Sequence, residues 1–407
     1  MSDSDGIRFL EGGTVTSPRG FVAGATYAGI KTYAEDKLDL GLLMSQYPCS
    51  VAAVFTTNRL KSASVILCRE RVAKGRVRAL VVNSGIANTC VGEQGYKDAQ
   101  ETTALAAKHL DLDPEEVAIC STGVIGVELP MALIRAGIPK IELSPRGGHD
   151  LARAILTTDT RPKEAAVSFR QGSRTVNIGG IVKGAGMIHP NMATMLSFIT
   201  TDAEMEQGLL QRALKEAVDQ SFNMVSVDGD TSPNDTVLLF ANGAAGAGPI
   251  MAGTPEYSKF LEALTALTVH LAKEIARDGE GAHRLLEVVV EGAVTLEEAR
   301  MAARTIVSSN LVKAAVYGAD PNWGRVVTAL GRSGAEMDAD RIDLYINDVC
   351  ILYQGTPIPF HKDAVVAIMR GPQVSFRVCL NLGQARATAW GCDLSEDYVT
   401  INSAYTT

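Results

Sequence analysis

The chain has 407 residues, of which 46% are apolar and 21% charged, with a formal net charge of −8. That balance suits two or three globular domains at roughly 150 residues each, or one large α/β unit, and it excludes a disordered or fibrous chain. The acidic charge argues against nucleic acid as a partner, and no apolar run reaches the length of a membrane span.

The first residues, MSDSDGIRFLEGG, are polar and acidic and lack the basic and apolar regions of a secretory signal. A cytoplasmic protein is expected. Seven cysteines, Cys49, Cys68, Cys90, Cys120, Cys350, Cys379 and Cys392, are scattered with no C-x-x-C pair. Most lie in apolar runs such as VILC and FRVC, so buried thiols are expected rather than disulfides. The six histidines show no metal-ligand spacing, and no metal site is expected.

Taken in chain order, strands are predicted at 51–57, 77–84, 174–184, 236–242, 286–293, 341–348 and 374–381. Several are apolar almost throughout, which predicts strands covered on both faces by helices. Between 174–184 and a second apolar run, MLSFIT, lies a segment rich in glycine: GGIVKGAGMIHPNMATMLSFIT, 179–200. It delivers Thr194 to the start of a strand. Helices are predicted over 204–220, 255–277 and from Thr295. The first follows Thr201 and Glu204, which have the spacing of a capping box. The second places Pro255 after Thr254, and its apolar face carries Leu261, Leu264, Leu267, Leu271 and Ile275. The third opens with another capping-box pattern, Thr295-Leu-Glu-Glu298. Helices alternating with strands give a layered α/β architecture. Composition near 280–300 suggests a boundary before a smaller C-terminal lobe of about 281–407.

Thr194 is a chemical candidate for one reason. A threonine hydroxyl is a weak nucleophile until a base lies within reach. If the bond before Thr194 were cut, its own α-amine, with a pKa of about 7.7–8.0, would be that base. The hydroxyl itself could make the cut by attacking the preceding carbonyl. Ala193 leaves room for this, and the nearby glycines allow unusual backbone angles. A threonine opening an apolar strand is also a common structural feature. The residues alone therefore leave a nucleophile and a plain strand start both open.

The whole segment KGAGMIHPNMATML, 183–196, closely resembles the cleavage motif of the glutamate N-acetyltransferase family, also called ornithine acetyltransferases. VVNSGIANTC (81–90), CSTGVIG (120–126), SVDGDTSPNDT (226–236), DGEGA (278–282), DPNWGR (320–325) and INSAYTT (401–407) resemble the same family in the same order, so the likeness spans almost the entire chain. It implies a layered α/β sandwich of the DmpA/ornithine acetyltransferase type with a self-processed N-terminal nucleophile. Cleavage would fall between Ala193 and Thr194, giving an α chain, 1–193, and a β chain, 194–407. Residues 194–280 would complete the main layers. Thr194 matches the family's nucleophile, and Thr122 and Gly123 match its oxyanion-stabilising pair. Thr157, Lys183, Thr194, Glu280, Asn402 and Thr407 match substrate-contacting positions.

The implied reaction is a ping-pong transfer of acetyl from N-acetylornithine to glutamate through an acetyl-threonine ester, with no cofactor and no metal. Some members also take acetyl-CoA, and the sequence leaves that donor open. The family's usual assembly is an α2β2 heterotetramer. A self-processing aminopeptidase or amidohydrolase, an acyltransferase of a secondary pathway, and an uncut binding module are the rival readings. Ile86, Val91 and the pair His283-Arg284 depart from the family pattern and put fine substrate preference in question.

Overall fold

A computed structural model describes residues 6–31, 37–189 and 195–404 of the chain. Two sheets packed face to face form its centre. One has six strands, in the order Arg8–Phe9, Lys163–Gln171, Arg174–Lys183, Leu196–Thr201, Thr236–Ala241, Ser50–Phe55. The other has four, in the order Phe21–Thr26, Leu40–Ser45, Ala79–Ile86, Val117–Val124.

Alternation along the strands explains the layering. In Leu196–Thr201, the side chains of Leu196 and Phe198 point into a core shared with Leu43, Leu80, Val82 and Ala118 of the four-stranded sheet. Ile199, the next residue, points the other way, into a core with Leu210, Leu214, Leu267 and Leu271. Those last residues belong to the helices Gln207–Gln220 and Pro255–Arg277. The outer face of the four-stranded sheet is covered by Leu67, Ala99, Ala106, Met131 and Ile134 from three further helices. The order of layers is helix, sheet, sheet, helix. The central strands are buried on both faces, as their composition predicted, but one covering layer is a second sheet rather than helices.

A third sheet of seven strands is built from Val225–Ser226 and residues 285–392. It packs on the far side of helix Pro255–Arg277 and on helix Leu296–Val307. Its apolar residues, such as Val288, Val290 and Trp390, belong to the same continuous core as Ile178 and Leu239.

Two of the three predicted helix starts are realised. Thr254 caps its helix by accepting the Tyr257 N–H at 3.3 Å, with Pro255 in the first turn. Thr295 and Glu298 form a reciprocal capping box. The third is not: Thr201 and Glu204 form no box. Glu204–Met205 pairs with Pro249–Ile250, and the helix begins at Gln207 with Glu206 accepting the Gly208 and Leu209 N–H groups. The short strand pairing displaces the cap from Thr201 to Glu206, more than one helical turn along the chain. Cys68, Cys120, Cys379 and Cys392 are buried thiols, but Cys90 is exposed.

One buried ionic cluster ties the sandwich together. The Lys163 ammonium, with no exposed surface, lies 2.6 Å from Asp159 and 2.5 Å from Asp278 at the end of helix Pro255–Arg277. Asp278 also accepts the N–H and hydroxyl of Thr160. Asp159 accepts the N–H groups of Thr157 at 3.0 Å and Gly184 at 2.7 Å. Burial alone would raise the Asp159 carboxyl. Lys163, Lys183 and the Gly184 N–H outweigh it and hold the group well below the usual carboxylate range.

Removing the cation leaves two buried carboxylates uncompensated. Lys163→Met is expected to cost about 3–5 kcal/mol in chemical denaturation, far more than a surface lysine would. The sign of the Asp159 effect is also fixed. Its folded pKa is depressed, so its stabilisation is complete above the unfolded value of about 3.9 and is lost as pH falls toward the folded value. Stability measured from about pH 5 downward should fall less steeply in Asp159→Asn than in the wild type.

Candidate active site

Six residues singled out from sequence come together in one small cavity. Thr122, Gly123, Thr157, Lys183, Glu280 and Asn402 all line it, although they lie far apart in sequence. Ala193, Thr194 and Thr407 lie outside the described residues. A larger cleft bounded by Arg212, Lys215, Arg300 and Arg386 contains none of the predicted residues.

Thr122 and Gly123 sit near the end of the edge strand Val117–Val124, which pairs in parallel with Ala79–Ile86 and is interrupted by a bulge at Gly85 and Ile86. Gly123 has φ of 131°, and a Cβ there would overlap the Gly85 backbone. Only glycine permits this approach, so the S-T-G sequence is a steric requirement of the bulge. Thr122 is buried.

Lys183 ends the strand Arg174–Lys183 and is buried. Burial lowers its pKa, opposed by the charges of Asp159, Asp235 and Glu280. Burial is the larger effect, and the nearby acidic groups offset part of it. In the antiparallel ladder Lys183 pairs with Leu196, the first residue of the next strand.

Glu280 follows helix Pro255–Arg277 and is anchored by its own N–H donating to Ala185 O at 2.9 Å. A side chain at residue 186 would overlap the Glu280 carboxylate, so Gly186 leaves room for the carboxylate in this position. The left-handed backbone angle in this segment falls instead on Met187, with φ of 57°. Asn402, on the helix Glu396–Ala404, donates its side-chain amide to Glu280 at 2.7 Å. The C-terminal helix therefore reaches back to the cavity.

Ser232 and Asn234 also line the cavity and were not singled out from sequence. Asn234 donates to Ala87 O and Ser121 O, both at 2.7 Å, and accepts from the Thr89 hydroxyl at 2.9 Å. It locks the loop before Thr236 against the strand that bears Thr122. Asp159 and Asp235 were missed as well. For Asp235 the available signal was SPNDT, a polar cluster immediately before the fully apolar VLLFA.

The same loop holds both flanks of the segment 190–194. Asp228 accepts the N–H groups of Met187 at 2.5 Å and Ile188 at 2.9 Å. Asp235 accepts the Met195 N–H at 2.9 Å. Of the departures, His283 lies outside the cavity, stacked near Tyr317 and close to Asp393 and Asp397. Ile86 lies in the bulge, where its carbonyl accepts from Asn83.

A buried cation, a carboxylate, hydroxyl groups and a tight glycine bulge at one cavity suit a small substrate carrying both charges. Comparison with known proteins agrees. The ArgJ family model matches residues 22–407. Arginine biosynthesis bifunctional protein ArgJ of Symbiobacterium thermophilum is 53% identical over 403 residues, covering 98% of this chain and 100% of that protein. The protein of the same name from Dehalococcoides mccartyi is 51% identical over 402 residues, covering 98% and 99%. A crystal structure of arginine biosynthesis bifunctional protein ArgJ from Bacillus halodurans is 46% identical with a TM-score of 0.51, over 52% of this chain and 100% of that one. The chain belongs to the ArgJ family.

Proposed function

We propose that the chain is an acetyltransferase of arginine biosynthesis that moves acetyl from N-acetylornithine to glutamate, after cutting itself before Thr194. One observation carries this reading. The six described residues that the family likeness assigns to oxyanion stabilisation and substrate contact line one cavity. That cavity includes Lys183, the ladder partner of Leu196, only two residues beyond Thr194.

The chemistry follows from the groups. The Thr194 hydroxyl attacks the acetyl carbonyl of N-acetylornithine, with the free α-amine of the same residue taking its proton. Negative charge develops on the carbonyl oxygen, where donors from Thr122 and Gly123 are each worth about 3–4 kcal/mol of barrier. Ornithine leaves, glutamate enters, and its amine attacks the acetyl ester to give N-acetylglutamate. Lys183 is assigned to the α-carboxylate common to both substrates, and Glu280 to the side-chain amine of ornithine. No cofactor is required, because the ester holds the acetyl group between the half-reactions. Acetyl-CoA is a second candidate donor.

The sheet accounts for how a cut chain would stay whole. Strands Leu196–Thr201 and Thr236–Ala241, from the β part, lie between Arg174–Lys183 and Ser50–Phe55, from the α part. Both flanking ladders cross the cut, so separation would break a continuous sheet. The α and β chains would need no disulfide to remain associated, and an α2β2 heterotetramer is the proposed assembly. The solved Bacillus halodurans chain, matched whole by 52% of this one, has about the size expected of one cleavage product.

The direct test is acetyl transfer from labelled N-acetylornithine with and without glutamate. Label on glutamate with little free acetate is expected; acetate release independent of glutamate would instead make the protein a hydrolase. A parallel reaction with acetyl-CoA decides the second donor. Thr194→Ala should remain one full-length band and transfer nothing, whereas Thr194→Ser should cut slowly and retain partial transfer. A wild-type protein that stays full length and still transfers acetyl would overturn the covalent mechanism. Lys183→Met should raise the KM for glutamate by about 10–100-fold, the worth of one charge-assisted contact.

A further inference from the structure

Gly123 poses a positioning problem. Its φ of 131° suits glycine, and glycine has no side chain to hold itself there. If Thr122 and Gly123 are to present fixed donors to a developing negative charge, contacts outside the pair must set their backbone angles.

Both ends of the pair lead to one side chain. Asn234 is buried and donates one amide hydrogen to Ser121 O, directly before Thr122, at 2.7 Å. The other goes to Ala87 O at 2.7 Å, and the Ala87 N–H donates to Val124 O, directly after Gly123, at 2.9 Å. Thr122 and Gly123 are thus bracketed by a single amide group. Its two carbonyl acceptors fix which end of the amide carries nitrogen, and the Thr89 hydroxyl donates to the other end, Oδ1, at 2.9 Å. Across an extended residue such as Thr122, the carbonyl before it and the N–H after it point to the same side of the strand. The Gly123 N–H therefore faces the side where Asn234 sits, and Asn234 lines the cavity. The turn that carries Ala87 needs the tie as well. Asn88 and Cys90 there have φ of 54° and 59°, angles that such residues keep only when their surroundings impose them.

We propose that Asn234 is the positioning residue of the oxyanion site, setting Thr122 and Gly123 through Ser121 and Ala87; the inference rests on the acetyl-transfer reading above. Both of its amide hydrogens are committed to backbone carbonyls, so it acts through the strand and not on the substrate. Asparagine suits the task, because an ionised aspartate has no hydrogen to give and a serine has one. Asn234 follows residue 194 in sequence, whereas Ala87 and Ser121 precede it. The β part therefore sets the donors that the α part carries.

The test compares steady-state transfer from N-acetylornithine to glutamate in wild type, Asn234→Ala and Asn58→Ala, with rates expressed per mole of cleaved chain on denaturing gels. Asn58 donates to Thr231 O at 2.8 Å, so it anchors the same loop without touching the strand of Thr122. Asn234→Ala should lower kcat about 100-fold and leave both KM values within about threefold of wild type, because misplaced donors weaken the transition state and not substrate binding. Asn58→Ala should keep kcat within about threefold of wild type, since it leaves the oxyanion pair in place. Hydrogen–deuterium exchange gives a second reading that needs no activity, and it decides where an Asn234→Ala precursor stays uncut. In a Thr194→Ala background, adding Asn234→Ala should speed exchange across residues 118–126 about tenfold or more and leave helix Pro255–Arg277 as it was. Unchanged exchange at 118–126, a kcat close to wild type in Asn234→Ala, a raised KM with kcat kept, or an equal loss in Asn58→Ala each overturns the proposal. A wild type that moves no acetyl overturns the transfer reading itself, and the positioning role with it.

Discussion

The site depends on how one strand is seated. Leu196–Thr201 is hydrogen-bonded on both sides, antiparallel to Arg174–Lys183 and parallel to Thr236–Ala241. Each neighbour brings one ionisable group to its first residues: Lys183 by ladder register, and Asp235 through the Met195 N–H. A one-residue slip would send Leu196 and Phe198 out of the sheet-to-sheet core and Ile199 into it. Packing of apolar side chains on two faces therefore fixes the register that places the polar groups at the strand head.

Burying ionic groups around the cavity is tolerated where they share partners. Asp159 is shared between Lys163, Thr157 and Gly184, and its field reaches Lys183. The same carboxylate thus fixes the backbone on both sides of the cavity, at Thr157 and beside Lys183. Glu280 is held by Asn402 and by the space over Gly186. A network of this kind is rigid because moving any member exposes another's unpaired charge.

The strands and long helices were legible in sequence because their signal is local: apolar runs of strand length, helical spacing, Thr254-Pro255 and the Thr295 box. The face-to-face sheets were not. A strand buried on both sides has the same composition whether a helix or another sheet covers it. The start of helix Gln207–Gln220 was misplaced because Glu204–Met205 has a pairing partner more than forty residues later in sequence. Six site residues could be named because long motifs carry them. Asp159, Asn234 and Asp235 escaped notice because their role is to orient backbone from other segments, and nothing in a short polar cluster states which backbone it will meet.

The cavity is composite in a way that bears on its origin in one chain. Thr122, Gly123, Thr157 and Lys183 precede residue 194, while Ser232, Asn234, Glu280 and Asn402 follow it. Two chains made separately would have to meet, interleave strands and bury Lys163 against Asp278 before any site existed. A single precursor forms those contacts within one molecule, where effective concentration is set by the chain itself. A cut made after folding, as the proposed reaction requires, would find the ionic contacts between the two parts already formed. For the proposed cleavage, the sheet's interleaving favours folding first and bond opening second: the groups that line the cavity come together only when both parts of the chain are in place.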